Sequence, residues 1–94
     1  MVGVAGGKTI PCAHYATFGS QELSDSIVST LAEHGVRACL LANHGVLAYS
    51  ASLPKALHVA SEVETLAKQY QLACVYGPPV VLPDAEMDTI LAKF

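Results

Sequence analysis

The stretch RACLLANHGVLAYS, residues 37–50, is an almost continuous apolar run that is interrupted at Asn43, His44 and Gly45. Apolar runs of this length are typical of strands that are buried on both faces. The interruption predicts either two buried strand segments joined by a kink or one strand with a bulge at the glycine. In both cases His44 lies at a strand end. It is then either a hydrogen-bonded residue of a turn or a metal ligand, since imidazole is the commonest metal ligand among side chains.

Helix signals flank this run on both sides. Upstream, Ser20 is a candidate N-cap and Gly35 a left-handed stop, which together predict a helix between them. Downstream, Pro54 in a first turn predicts the start of the longest helix, which should continue to about Val75. After a proline-rich break, residues 84–94 are predicted to form a short final helix with Met87, Ile90, Leu91 and Phe94 on its apolar side.

The segment before the first helix mixes β-branched and aromatic residues with a proline. It predicts a strand over residues 8–15, near a sheet edge because Pro11 has no N–H to donate. The order of strand, helix, strand pair, long helix and short helix implies an α/β layer, with a few strands covered by helices. Because so small a sheet is marginal alone, we expect residues 1–94 to form a single partial domain, a part of a larger sheet.

The composition is more apolar than that of an average globular domain. Hydrophobic residues make up 52% of the 94 residues and charged residues 14%. A chain of this size has too little interior for so many apolar side chains, so other chain segments or partner subunits are expected to cover part of its surface. The net charge of -3, with five basic residues, argues against a nucleic-acid partner.

Targeting and cysteine signals are also informative. The first ten residues lack a basic region ahead of an apolar core, and no run approaches the roughly 18 apolar residues of a membrane span, so we expect a cytoplasmic protein with no membrane partner. Cys12, Cys39 and Cys74 lie far apart, which indicates neither a disulfide framework nor a thiolate zinc site. Buried reduced thiols are expected.

Other candidate motifs carry less weight. His14, His34 and His58 lack the spacing that would place two rings on one metal ion. VAGGK, residues 4–8, lacks the spacing of a phosphate-binding loop, and no serine lies in a G-x-S-x-G elbow.

Three longer stretches resemble a known family. AGGKTIPCAHYATFGSQELS, CLLANHGVLAYSASLPKALHVASEVETLAKQY and LPDAEMDTILAKF are similar to the C-terminal half of the class II aldolase/adducin family, in its fuculose-phosphate aldolase branch. The most specific elements are the PCA-x-YATFG-x-x-EL run and the NHG that precedes the long helix. The resemblance covers nearly the whole chain and implies the C-terminal half of the family's α/β fold.

The resemblance also implies a function. Members of the family are zinc-dependent aldehyde-lyases that assemble as homotetramers, with active sites between subunits. The implied reaction cleaves a ketose 1-phosphate, a small-molecule sugar phosphate, to dihydroxyacetone phosphate and a hydroxyaldehyde. His44 corresponds to the third zinc-binding histidine of the family, Phe18 to an aromatic wall near the aldehyde end of the substrate, and Phe94 to another aromatic residue that lines the pocket.

The family's remaining machinery has no counterpart among these residues. Its HxH zinc pair, its acid–base glutamate and its phosphate-binding loops belong to the N-terminal half. Its catalytic tyrosine falls just before Met1 and its tail tyrosine just after Phe94. We therefore expect this chain to be a fragment that contains no catalytic residue and is inactive alone, because one imidazole in place of three binds zinc too weakly.

Two other functions remain open within the resemblance. One is a different reaction on the same scaffold, a sugar-phosphate 4-epimerase or a methylthioribulose-phosphate dehydratase, which would share the zinc triad. The other is a non-catalytic interaction module of the adducin type.

Overall fold

The computed structural model describes residues 2–94 of the chain. Within them three strands form one sheet in the order β1 (Cys12–Ala13), β2 (Ala38–Leu41) and β3 (Gly45–Ala48). β1 is parallel to β2, whereas β3 is antiparallel to it. A short 3₁₀ helix, Val2–Ala5, precedes the sheet.

Three α-helices accompany the sheet: α1 (Gln21–His34), α2 (Leu53–Val75) and α3 (Asp84–Leu91). The hydroxyl of Ser20 caps α1 by accepting the N–H of Leu23, and Gly35 ends the helix in the left-handed region at φ 60°. The predicted α/β class and the first two helices are therefore confirmed. No helix in the described part of the chain is both long and apolar enough to cross a bilayer.

The central strand β2 is covered on both faces. Successive strand residues point to opposite sides, so Ala38 and Cys39, both fully buried, face different layers. Ala38 joins Val59 and Val63 of α2 in one apolar cluster, together with Ala5 of the 3₁₀ helix. α1 contacts β1 and β2 and covers the other face. The result is a small three-layer arrangement of helix, sheet and helix.

The buried core is small compared with the apolar surface that stays exposed. Its members are mostly alanine and valine. The largest fully buried side chains are those of Val36 and Cys39. Many large apolar side chains are exposed instead, among them Leu53, Leu57, Tyr70, Val75, Tyr76, Val80 and Val81. The expectation of extensive uncovered apolar surface is thus met in the described residues.

The first strand is much shorter than predicted. Residues 8–15 were expected to be extended, but only Cys12 and Ala13 pair, with Leu40 and Leu41. Further upstream the neighbouring backbone is already occupied, because the N–H of Arg37 binds the carbonyl of Ala5. A strand over residues 8–15 would compete with the 3₁₀ helix for this backbone, and the alternation of residue types does not reveal that competition.

The interruption in the apolar run is neither a kink nor a bulge. The chain reverses fully there, so that β2 and β3 form an antiparallel hairpin with Leu41 opposite Gly45. β3 is exposed or half-buried rather than buried as predicted. The reason is that helix α2 covers only part of it, and apolar composition does not report which faces are covered.

The last helix also ends earlier than predicted. α3 stops at Leu91, so Phe94 is not part of its apolar side, although Met87, Ile90 and Leu91 are half-buried as expected. An ion pair attaches this helix to the segment before β1, since Lys8 Nζ lies 2.9 Å from Asp88 Oδ1. The hydrogen bond to Asp88 raises the pKa of the Lys8 ammonium.

The cysteines are not all buried as predicted. Cys39 lies in the core, but Cys12 and Cys74 are exposed. Cys12 alternates with the buried Ala13 and therefore faces outward. Burial raises the pKa of the Cys39 thiol, and the nearby Cys12 thiol adds to the rise.

Replacement of Val63 by alanine tests the small core. Val63 is 3% exposed, and Val63→Ala should lower the free energy of unfolding by about 2 kcal/mol through lost burial and a residual cavity. Val80→Ala is the matched control, because Val80 is 94% exposed. This replacement should lower the free energy of unfolding by less than about 0.5 kcal/mol. Urea unfolding followed by circular dichroism measures both values, and equal losses would contradict the assigned core.

Thiol reactivity tests the placement of the cysteines. A thiol reagent at pH 8 should modify Cys12 and Cys74 in the folded chain well before Cys39, because Cys39 is buried and its raised pKa leaves less reactive thiolate. Mass mapping of the labelled peptides over time gives the order of reaction. In urea the three rates should converge; fast labelling of Cys39 in the folded chain would argue against its burial.

Candidate functional site

His44 lies in the loop of the β2–β3 hairpin, between two residues of unusual backbone conformation. Asn43 is the only described non-glycine residue with a positive φ, at 66°, and Gly45 has a φ of 149°. Asparagine tolerates the left-handed region better than most residues, and glycine is free to adopt it. The N–H of His44 binds the carbonyl of Leu41 at 2.9 Å. The NHG pattern is therefore explained first by the geometry of a tight turn.

The ring of His44 is held by two neighbours from the loop after β1. Its Nε2 lies 2.8 Å from the carbonyl oxygen of Ala16. The ring of Tyr15 stacks on it, with centroids 5.4 Å apart and planes inclined by 16°. His44 itself remains exposed. The imidazole is thus oriented without being buried.

This arrangement defines which nitrogen is left for a ligand. A carbonyl oxygen only accepts hydrogen bonds, so Nε2 must carry the proton that faces Ala16. In the neutral ring, Nδ1 then keeps a free lone pair. Metal-binding histidines commonly donate their other N–H to a backbone carbonyl in this way.

A complete metal site is not formed by these residues. Among residues 2–94, no three histidine, cysteine, aspartate or glutamate side chains lie close enough to hold one ion together. His44 fits the part of a single ligand, whereas stable zinc sites use three or four. Any metal bound at His44 would need ligands from outside the described residues.

The loop that contacts His44 is anchored at several points. The carbonyl of Ala13 accepts the N–H of Ala42, and the carbonyl of His14 accepts the hydroxyl of Ser26 on α1. Phe18, two residues beyond Ala16, is 80% exposed. The structure therefore places Phe18 on the same loop as the partners of His44, with its ring largely open to solvent.

Phe94 lies elsewhere, at the other end of the hairpin. Its ring packs over Gly3, where a Cβ would lie only 2.7 Å from it. With Arg37 it lines an open cavity of about 860 Å³. Arg37 precedes β2 and His44 follows it, so the length of the strand separates the two places by about 13 Å at 3.3 Å per residue. The chain does not bring Phe94 to His44.

Sequence reasoning missed the partners of His44 and the cavity. Ala16 offers a backbone carbonyl, which no residue pattern reveals, and lies 28 positions from His44 in the chain. Tyr15 belongs to the PCA-x-YATFG motif, which does not indicate that its ring stacks on His44. No local pattern indicates that Arg37 and Lys55 line one cavity, because only folding brings them there.

Comparison with known proteins identifies strong similarities. The family model described as the Class II Aldolase and Adducin N-terminal domain matches residues 1–71. L-fuculose phosphate aldolase of Escherichia coli O6:H1 is 46% identical over 95 residues, covering 100% of this chain and 43% of that protein. A 5-methylthioribulose-1-phosphate/5-deoxyribulose-1-phosphate aldolase of Rhodospirillum rubrum is 44% identical over 94 residues, covering 100% of this chain and 42% of that protein.

A solved structure is similar over nearly the full length of the chain. An L-fuculose 1-phosphate aldolase matches with a TM-score of 0.93 and 46% sequence identity, covering 99% of this chain and 42% of that one. The chain thus spans less than half the length of the relatives it matches, and it corresponds to their C-terminal half.

The protonation of two histidines tests the geometry of the loop. In their neutral forms, we expect His44 to carry its proton on Nε2 and His34 to carry it on Nδ1, because these nitrogens face the carbonyls of Ala16 at 2.8 Å and Thr30 at 3.0 Å. Long-range ¹H–¹⁵N NMR spectra at alkaline pH distinguish the two tautomers. His34 serves as the internal control, and the same tautomer at both positions would contradict the described contacts.

Proposed function

The chain belongs to the class II aldolase and adducin family, and from this premise we propose that it forms part of an aldehyde-lyase that cleaves a ketose 1-phosphate. The products would be dihydroxyacetone phosphate and a hydroxyaldehyde. The observation that carries the proposal is the similarity of the whole chain to two aldolases that are named for L-fuculose 1-phosphate and for 5-methylthioribulose 1-phosphate. A phosphorylated substrate is consistent with action in the cytoplasm.

Two substrates are candidates for parallel assays. The relatives include aldolases named for fuculose phosphate and for 5-methylthioribulose 1-phosphate, with similar identities to this chain of 46% and 44%. The two sugars share the phosphorylated end and differ at the opposite end, so the difference lies in the aldehyde product. An exposed aromatic side chain such as Phe18 is suited to contact that part of the substrate.

In this proposal His44 contributes one imidazole to a zinc ion. Its exposure, the hydrogen bond of Nε2 to Ala16 and the free lone pair on Nδ1 support that role. The other ligands would come from outside these residues, since no three suitable side chains of residues 2–94 lie together. A bound zinc ion would supply Lewis-acid stabilisation of the negative charge that develops as the carbon–carbon bond breaks.

The hairpin and the loop after β1 would position the His44 ring for the ion. Tyr15 and the Ala16 carbonyl restrict the His44 ring to one orientation, which lowers the entropic cost of ligation. The turn through Asn43 and Gly45 contains His44, whose side chain is exposed there. The chain on its own would be inactive, because residues 2–94 contain no group of three side chains that could hold the ion together.

We also propose that the site lies between copies of the protein in a homotetramer. Phe18 lies on the loop that holds His44, but Phe94 is at the opposite end of the hairpin. Both rings contact one substrate if Phe94 of one copy lines the site that contains His44 of another. The exposed apolar surface of α2, including Leu53 and Leu57, supports such assembly.

Replacement of His44 in an intact-length protein tests the function. We would exchange this chain for the matching segment of the Escherichia coli relative and measure cleavage of both sugar phosphates and bound metal. The exchanged protein should be active and contain zinc. His44→Ala should lose zinc and reduce the rate by at least about 100-fold, the upper end of the loss on removing a metal's supporting residues.

His34→Ala is the matched control, because its ring binds the Thr30 carbonyl at the end of α1 rather than lying on the hairpin. It should retain zinc and rate. Unchanged metal content in His44→Ala would refute the ligand role, and an inactive exchanged protein with full zinc would refute the reaction. The 94-residue chain alone should bind well below one zinc per chain.

A further inference from the structure

Lys8 links the start of the chain to its last helix. Its Nζ lies 2.9 Å from Asp88 Oδ1 and 4.0 Å from Asp84 Oδ2, two carboxylates that are one turn apart on one face of α3. We propose that Lys8 is a positioning residue for Phe94: by holding α3, it fixes the place of the Phe94 ring over Gly3. The importance of that ring for a substrate rests on the proposed function, whereas the coupling between Lys8 and the ring does not.

Helix α3 has little other support in the described part of the chain. None of its residues is buried, and Pro83 at its N-cap provides no side-chain hydrogen bond. A helix of eight residues is not stable in water by itself. The segment that leads into it is exposed as well, at Val80 and Val81. An ion pair therefore makes up a larger share of the attachment of α3 than it would for a helix with a buried face.

Phe94 follows the position of α3 because the backbone is hydrogen-bonded up to the last residue. The N–H of Ala92 binds the carbonyl of Asp88 at 3.1 Å, and the N–H of Phe94 binds the carbonyl of Leu91 at 3.1 Å. These bonds leave the Phe94 backbone little freedom of its own. A shift of α3 therefore displaces the ring.

The ring packs on the 3₁₀ helix Val2–Ala5. It lies where a side chain on Gly3 would be, since a Cβ there would come within 2.7 Å of the ring. Gly3 is buried, whereas Phe94 keeps most of its own surface exposed. The segment from Gly3 to Lys8 thus contacts α3 and its end at two places, the ring and the ion pair. Two points of attachment fix the direction of a helix, whereas one would leave it free to swing.

The ion pair is open to solvent, which limits what it can do. Lys8 and Asp88 are both exposed, and exposed ion pairs add little to global stability and weaken in salt. We therefore expect Lys8 to affect the docking of α3 and the place of the ring rather than the unfolding of the whole chain. Local measurements at α3 and Gly3 separate these two effects.

NMR of the full chain tests the proposal through amide exchange and chemical shifts. In Lys8→Gln the α3 amides should exchange about threefold faster than in the wild type, because a detached helix exposes them, while the α1 amides should keep their rates. The α-proton signals of Gly3 should move toward their values in Phe94→Ala, which lacks the ring current. Lys8→Arg should restore both readouts, since it keeps the cation.

Lys68→Gln is the matched control, because it removes the same charge from an exposed position on α2. It should leave the α3 rates and the Gly3 signals unchanged. Lys8→Gln combined with Asp88→Asn should exchange little faster than either single variant, because both remove one ion pair. In about 1 M salt the wild type should approach Lys8→Gln.

The exchanged aldolase separates this proposal from the proposed function. There Lys8→Gln should raise KM for the sugar phosphate by about twofold without loss of zinc, as expected for weaker binding alone. In a Phe94→Ala background the same replacement should have no further effect, because Lys8 acts through the ring. An inactive exchanged protein would count against the proposed function only, since NMR of the 94-residue chain decides the role of Lys8.

Three results would overturn the role of Lys8. The first is α3 exchange in Lys8→Gln at the wild-type rate. The second is faster α3 exchange with unmoved Gly3 signals, which would show that the ion pair holds the helix but not the ring. The third is an equal change in Lys68→Gln, which would show an effect of overall charge alone.

Discussion

The four-residue strand β2 is the constraint on which the rest of the structure depends. It pairs with β1 on one edge and β3 on the other, and both of its faces are covered, by α2 over Ala38 and by α1 over Cys39. Both side chains are small and fully buried, so the two helices lie close to the sheet. The strand cannot be displaced without disturbing both helical layers and both neighbouring strands.

The two ends of β2 lead to the two regions that contain the candidate site residues His44 and Phe94. The carboxyl end leads into the turn that holds His44 against Tyr15 and Ala16. The amino end begins at Arg37, which binds the 3₁₀ helix and lines the cavity beside Phe94. Because the strand is rigid and short, the distance between the two regions is set by its length. This explains why two residues that the family resemblance assigns to one pocket lie apart within a single copy.

The exposed apolar surface arises because so little of the sequence is buried. Val59 and Val63 are the only residues of α2 that are buried in the described structure, although the helix contains several other large apolar side chains, including Leu57 and Tyr70. An amphipathic helix that buries a narrow stripe on one side leaves its remaining apolar residues for other contacts. The chain covers 43% of the length of one relative, and contacts with residues outside this span would account for the apolar surface left exposed.

The sequence by itself determined helices α1 and α2, the caps of α1 and the α/β class, because these depend on local signals such as Ser20, Gly35 and Pro54. It also singled out His44, through its place after an apolar run and through the family resemblance. Tertiary structure alone decided the reversal at Asn43, the brevity of β1, the contact with Ala16 and the placement of Phe94 away from His44. Each of these depends on backbone groups or side chains that are distant in the chain, and their contacts arise only when the layers pack together.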